Sequence, residues 1–293
     1  MSCFDFLHGL RSLLTRKWTP FRYMAVAASL PIFASLPNSG CGGTIENLLI
    51  PTGQEVEMGE QFSKEIEKEI KLYKDPEVVK YIQELGQSLV KVSKRTDIAY
   101  EIKVVDTDEV NAFALPGGFL YVNRGLISTA ENESELAGVM GHEIGHVVGR
   151  HGVRQMTRQI GLELITSLVI GDNPGMARQL AGQFAGIGGA IGMLKYSRNA
   201  EREADALAIQ EIYDAGIDPM GMATFFEKLK ALHDENPTGF AALFTTHPAP
   251  AERITNAKRD ITALPKKAGL RKDSERFQRI KKRLPALKPV KKK

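Results

Sequence analysis

Two periods of apolar and polar positions succeed one another along the chain, and each marks its own elements. From Gly53 to Lys74 the sequence is strongly charged, with Ile66, Ile70 and Tyr73 at helical spacing. Asp75-Pro76-Glu77 opens a second helix, with Asp75 as N-cap and Pro76 at the first helical position, and Val79, Ile82, Leu85 and Leu89 supply its apolar stripe. Tyr100 to Asp106 changes to alternation and predicts a strand. Asn111 to Asn123 predicts two short apolar strands around the turn Pro116-Gly117-Gly118. A short helix over Gly125–Ala130 precedes a longer one over Asn132–Gly149, with Asn132 as N-cap and Glu135 three residues on in a capping-box arrangement. Leu136, Val139, Met140, Ile144, Val147 and Val148 make that helix apolar enough to be buried.

Residues 153–195 read as helical and rich in Gly and Ala, broken at Gly171–Gly175. Their small residues suit close helix packing or a mobile lid, and Arg178 and Gln183 interrupt them as a membrane hairpin. Further helices follow up to Ala215, over Met220–His233, and from about Arg253 to Leu264. The pattern predicts an α+β fold, mainly helical, with a small β-sheet.

Charge divides the chain. Residues 265–293 carry +11 and residues 1–40 carry +3, so residues 41–264 carry −10 within the formal total of +4. The body is acidic, which argues against nucleic acid as partner. In residues 1–40, Arg11, Arg16, Lys17 and Arg22 precede the apolar run Met24–Leu36, an export-signal arrangement too short to span a bilayer comfortably. Asn38-Ser39-Gly40-Cys41 resembles a bacterial lipoprotein cleavage site, although Asn38 stands where an aliphatic residue is usual. The expectation is an exported, periplasmic chain, anchored to the outer membrane by lipid on Cys41, with a simple cleaved signal or a short uncleaved anchor as the alternatives. The only other cysteine is Cys3, so the body has no disulfide framework. The expected domains are a signal at 1–40, a body at 41–264 and a basic tail at 265–293. In that tail Phe277, Ile280 and Leu284 suit either a short amphipathic helix against anionic lipid or an acidic partner, or a solvated end.

The candidate chemistry lies in Gly138–Gly152, which holds His142-Glu143-x-x-His146 and His151. Positions four apart stack on one helix face, so His142 and His146 present two imidazoles to one point, a grip suited to Zn²⁺. Glu143 lies about 100° round the helix, where it can reach a water without ligating. A catalytic zinc site needs a third protein ligand and one open position. His151 comes one place too early for H-E-x-x-H-x-x-G-x-x-H and, on a continued helix, lies about 180° from His142, so it is expected in a supporting role. The stronger candidate is Glu201: it stacks with Asp205 on one helix face, while Glu203 points away. Asp205 is then placed to accept from the far nitrogen of a ligand histidine. The hairpin offers a strand edge that, if exposed beside the cleft, takes a peptide substrate as an added strand.

Four motifs now stand in order: N-A-F-A-L-P-G-G at 111–118, H-E-x-x-H at 142–146 with His151, Y-S-R-x-x-E-x-E-A-D at 196–205 and T-H-P at 246–248. Together they resemble the HtpX- and BepA-type gluzincin metallopeptidases over roughly residues 55–264, most of all the small periplasmic lipoprotein members. The resemblance implies His142, His146 and Glu201 as zinc ligands, Glu143 as general base and Asp205 as support. It also implies that His247 approaches the metal and occupies or guards the water position, and that Arg253 lies near the cleft. The implied activity is zinc-dependent endopeptide hydrolysis in envelope quality control, acting on unfolded or misassembled proteins. The rival is a zinc-binding chaperone or assembly factor with latent proteolysis.

Overall fold

Local signals fix most of the elements. The computed structural model describes residues 50–160, 195–235, 247 and 250–287. The expected signal and the cleavage site at Cys41 lie outside these, as do residues 161–194 of the segment 153–195 expected as close-packed helices or a lid. Helix α1 (Thr52–Ile66) is followed by α2 (Pro76–Val90), whose N-cap Asp75 accepts from the backbone N–H of Glu77 and Val78. Strands β1 (Glu101–Val105), β2 (Ala112–Leu115) and β3 (Phe119–Asn123) form a sheet of order β1-β3-β2, with β1 parallel and β2 antiparallel to β3. Gly117 and Gly118 turn the hairpin at φ of 79° and 96°, a region that side-chain-bearing residues rarely enter. Helices α3 (Arg124–Thr129) and α4 (Glu133–Val148) follow.

The alternation along the strands sorts the core into two layers. Ala112, Ala114, Leu120 and Val122 face the main core, with Ile82 and Leu85 of α2 and Met140 and Ile144 of α4. Phe113, Leu115, Phe119 and Tyr121 face a second cluster with Met58, Phe62 and Ile66 of α1. β2 is an edge strand by order, yet all four of its residues are buried, so the edge expected to be exposed is covered.

Asn132 caps α4 by accepting from Glu135 N–H, but Glu135 reaches back to the N–H of Glu131 instead of to the cap residue. The C-terminal end of α4 is pinned from a distance. Buried Glu55 of α1 accepts from both terminal nitrogens of Arg95 at 2.8 and 2.7 Å, from Nε of Arg150 at 2.8 Å and from Gly117 N–H at 3.2 Å. Arg95 also donates to the carbonyl of Val147. One carboxylate thus ties the hairpin turn to the end of α4. Arg150, at φ 52°, breaks the helix there, and α5 (His151–Ile160) starts in a new direction.

Helix α6 (Arg198–Asp214), capped by Ser197, packs along α4. Gly141 and Gly145 line the seam: a Cβ at Gly145 would lie 2.7 Å from the carbonyl oxygen and 3.1 Å from Cα of Ala204, and one at Gly141 3.5 Å from Cβ of Ala208. The two backbones meet directly. Helices α7 (Met220–Glu235), α8 (Pro250–Ala263) and α9 (Glu275–Arg283) complete the body.

The segment expected as a separate tail departs from that expectation. Phe277 and Ile280 of α9 are buried in the main core, and Tyr81 of α2 lies 6.1 Å ring to ring from Phe277. Buried Glu133, at the first turn of α4, accepts from Arg271 Nε at 2.6 Å, Tyr81 Oη at 2.9 Å and Ser274 Oγ. The apolar stripe that suited lipid is spent on the domain itself, so residues up to 287 extend the body beyond 264. No described helix is long and apolar enough to cross a membrane.

Two outcomes follow. Alanine at Gly145 gains about 1 kcal/mol of helix propensity but overpacks against rigid backbone at about 1–3 kcal/mol. With the nearest contact at 2.7 Å the second effect wins, and Gly145→Ala lowers the melting temperature. Glu211 of α6 is buried with neither carboxyl oxygen hydrogen-bonded, and burial pushes its pKa from 4.5 up to about 8. A folded-state value above the unfolded one gives a contribution that is intact below pH 4.5 and lost as pH rises towards 8, at up to about 1.4 kcal/mol per pH unit. Glu211→Gln therefore raises the melting temperature relative to the parent at pH 8, and the difference closes near pH 4.5.

Candidate metal centre

The seam between α4 and α6 sets the site. His142, Glu143 and His146 project from α4 and Glu201 and Asp205 from α6, and all are buried together with His247 and Arg253. Nε2 of His142 lies 3.0 Å from Nε2 of His146 and 3.4 Å from Oε2 of Glu201, and His146 Nε2 lies 3.4 Å from Oε1 of Glu201. Nδ1 of His247 lies 3.2 Å from His142 Nε2 and 3.0 Å from Glu201 Oε1. These four groups could hold a metal ion, their ligand atoms all lying within 4.8 Å of one another.

The spacing suits zinc. Four atoms about 2.0–2.1 Å from a tetrahedral centre are separated by about 3.3–3.4 Å, and these separations of 3.0–3.4 Å lie at or slightly below that figure, with all four donors inside 4.8 Å of one another. The charges agree. Around this point the described residues bury three carboxylates, Glu143, Glu201 and Asp205, against one guanidinium, Arg253. A divalent cation balances the set.

Other groups hold these donors in place. Asp205 Oδ1 lies 2.8 Å from Nδ1 of His142, the ring nitrogen away from the cluster. Arg253 donates to both oxygens of Asp205 at 2.8 and 2.6 Å, lies 3.1 Å from Glu201 Oε2, and stacks on Phe226. Asp205 thus faces the back of His142, away from the common point. Tyr196 stacks on His146 with centroids 3.9 Å apart.

Electrostatics follow from burial and from this pairing. Burial and Arg253 push the His142 ring down, but Asp205 and Glu201 outweigh them and hold it up at about 9. Burial raises Asp205, and Arg253 with His142 outweighs it, bringing the carboxyl down to about 2. Glu201 is likewise lowered, its burial overcome by the three histidines. Burial and then His142 push His146 well below its ordinary value. Glu143 moves the other way: burial raises it, against the lowering effect of His247 and His142. Its Oε1 is buried without a hydrogen-bond partner, 3.3 Å from Nε2 of His247.

All the residues singled out from the sequence are gathered here, with one surprise. His151 is not carried round by a continued helix. The break at Arg150 swings it back, so that its Nδ1 lies 2.9 Å from Nδ1 of His146. Glu203 points away from the cluster, as expected, and reaches His151 Nε2 at 3.2 Å and Arg154 at 3.0 Å. Tyr196 joins the site without having been singled out by spacing, although its place at the head of the Y-S-R-x-x-E segment is a usable signal.

Comparison with known proteins agrees with this centre. The model of peptidase family M48 matches residues 76–261. The beta-barrel assembly-enhancing protease of Escherichia coli (strain K12) is 33% identical over 250 residues, covering 80% of this chain and 50% of the relative. The metalloprotease YcaL of the same organism is 32% identical over 186 residues, 61% of this chain and 70% of the relative. The mitochondrial metalloendopeptidase OMA1 of Schizosaccharomyces pombe is 30% identical over 176 residues, 59% of this chain and 50% of the relative. The chain spans about half the length of the first and third of these. With the family model matched over most of the body and the donor set in place, the chain belongs to peptidase family M48, whose metallopeptidases are zinc-dependent.

Proposed function

We propose that this protein is a zinc endopeptidase in which His142, His146 and Glu201 hold the metal and Glu143 is the general base. The observation that carries this reading is the convergence of those three donors from two helices, with a buried, unpartnered carboxylate oxygen of Glu143 beside them. Bound Zn²⁺ supplies Lewis-acid polarisation of the scissile carbonyl and acidifies water. Glu143 accepts the proton of the attacking water and returns it to the departing amine, and its raised pKa suits both transfers. Asp205 fixes His142 through Nδ1, and Arg253 holds Asp205 and Glu201 in register. His247 Nδ1 lies among the other three donors, and because a catalytic zinc site keeps one position open for water, His247 would have to withdraw for turnover.

The substrate is a peptide laid along β2 as an added strand, read mainly through its backbone and hence with little sequence choice. Because β2 is buried, whatever covers it must move first, and a segment unfolded enough to compete for the edge is the natural substrate class. The setting is the bacterial envelope, with export directed by residues 1–40 and lipid anchoring at Cys41, and the proteins acted on are unfolded or misassembled. The name of one relative, a beta-barrel assembly-enhancing protease, supports that setting. A second reading has one observation behind it: four protein donors gathered within 4.8 Å of one another resemble a closed structural site, as in a binding or assembly factor whose proteolysis is latent.

One comparison separates the readings. Glu143→Gln retains one zinc per chain and loses casein cleavage by about 10²–10⁴-fold. Glu201→Ala loses both metal and cleavage. Metal content by emission spectroscopy beside a casein assay reads the two, and undiminished cleavage by Glu143→Gln would falsify the proposed base.

A further inference from the structure

The two histidines of the metal helix are secured differently, and the difference assigns work to residues that take no part in the hydrolysis itself. An imidazole that ligates through Nε2 carries its proton on Nδ1, and that proton needs an acceptor. For His142 the acceptor is the Asp205 carboxylate, 2.8 Å away. For His146 the group in reach is a second ring: Nδ1 of His151, at 2.9 Å.

We infer that His151 is the positioning residue of His146, and that Glu203 selects the His151 tautomer able to serve. The inference rests on the metallopeptidase reading. To accept from His146, Nδ1 of His151 must present a lone pair, which places the His151 proton on Nε2. That nitrogen lies 3.2 Å from Oε2 of Glu203 and donates to it, and Arg154 donates to the same oxygen at 3.0 Å. A relay results, from His146 Nδ1–H to His151 and from His151 Nε2–H to the carboxylate. It delivers to His146 from α5, through one extra ring, what Asp205 delivers to His142 directly. The turn at Arg150 makes this possible, because a continued helix carries residue 151 to the far side. Tyr196, stacked on His146, holds the ring in plane while His151 sets its rotation.

Removing a group that orients a metal-bound histidine weakens metal affinity by about 10–100-fold. The test is zinc affinity of the full purified chain, by competition with a chromogenic chelator. His151→Leu is expected to weaken binding by about 10–100-fold, whereas His151→Asn, whose amide oxygen can sit where Nδ1 sits and accept the same proton, stays close to the parent. Glu203→Gln weakens binding less, and adds nothing in the His151→Leu background because it acts through that ring. In the parent protein, ¹⁵N spectra of the imidazoles show His151 protonated on Nε2, a readout that needs no variant to fold. Unchanged affinity in His151→Leu, equal weakening by Leu and Asn, full additivity with Glu203→Gln, or a proton on Nδ1 of His151 would each overturn the inference while leaving the metallopeptidase reading intact. Failure of the parent chain to bind zinc at all would sink both.

Discussion

Direct backbone contact between α4 and α6 is the constraint on which the rest of this structure depends. Two of the proposed ligands sit on one helix and the third on the other, and a cation with bonds of about 2 Å would tolerate little error in their separation. Glycine at positions 141 and 145 removes the side chains that would hold the helices apart, and Ala204 and Ala208 answer from α6. The same four-residue spacing that stacks His142 on His146 stacks Gly141 on Gly145 one position earlier. One helical repeat therefore carries both the metal face and the packing face, and the two stay in register.

So close a seam buries its charges, which explains the arrangement behind the donors. The charged groups that hold the donors meet one another: Asp205 meets Arg253 and His142, and Glu201 meets three histidines and Arg253. Glu55 applies the same rule at the far end of α4, where it collects two arginines and a backbone N–H. Buried ionic groups of this kind add little net stability against an apolar alternative, but removing one partner is expensive. Their effect here is positional. They fix where α4 ends and where the chain turns towards His151.

What the sequence disclosed were the features written within a few residues. Asp75 with Pro76 announced α2, alternation announced the strands, Pro116-Gly117-Gly118 announced the turn, and the four-residue spacings of His142 with His146 and of Glu201 with Asp205 announced the faces that converge. What it withheld were partnerships across long stretches of chain. Nothing near Glu55 points to Arg95 or Arg150, and the basic composition of residues 265–287 hid the fact that Phe277 and Ile280 belong to the core. Glu203 was judged by its direction on its own helix, where it does face outward. Its partner arrives from another element, through a backbone turn at Arg150 that residue type does not advertise.

The anchoring of Glu133 has a consequence for biosynthesis. The residue opening the metal helix is held by Ser274, 141 positions further along, and by Arg271 beside it. During translation the chain must emerge as far as Ser274 before that anchor can form. A nascent chain thus carries the proposed zinc-binding residues through a long further stretch of synthesis without the lock that seats the helix bearing them, which delays hydrolytic competence until that stretch has emerged.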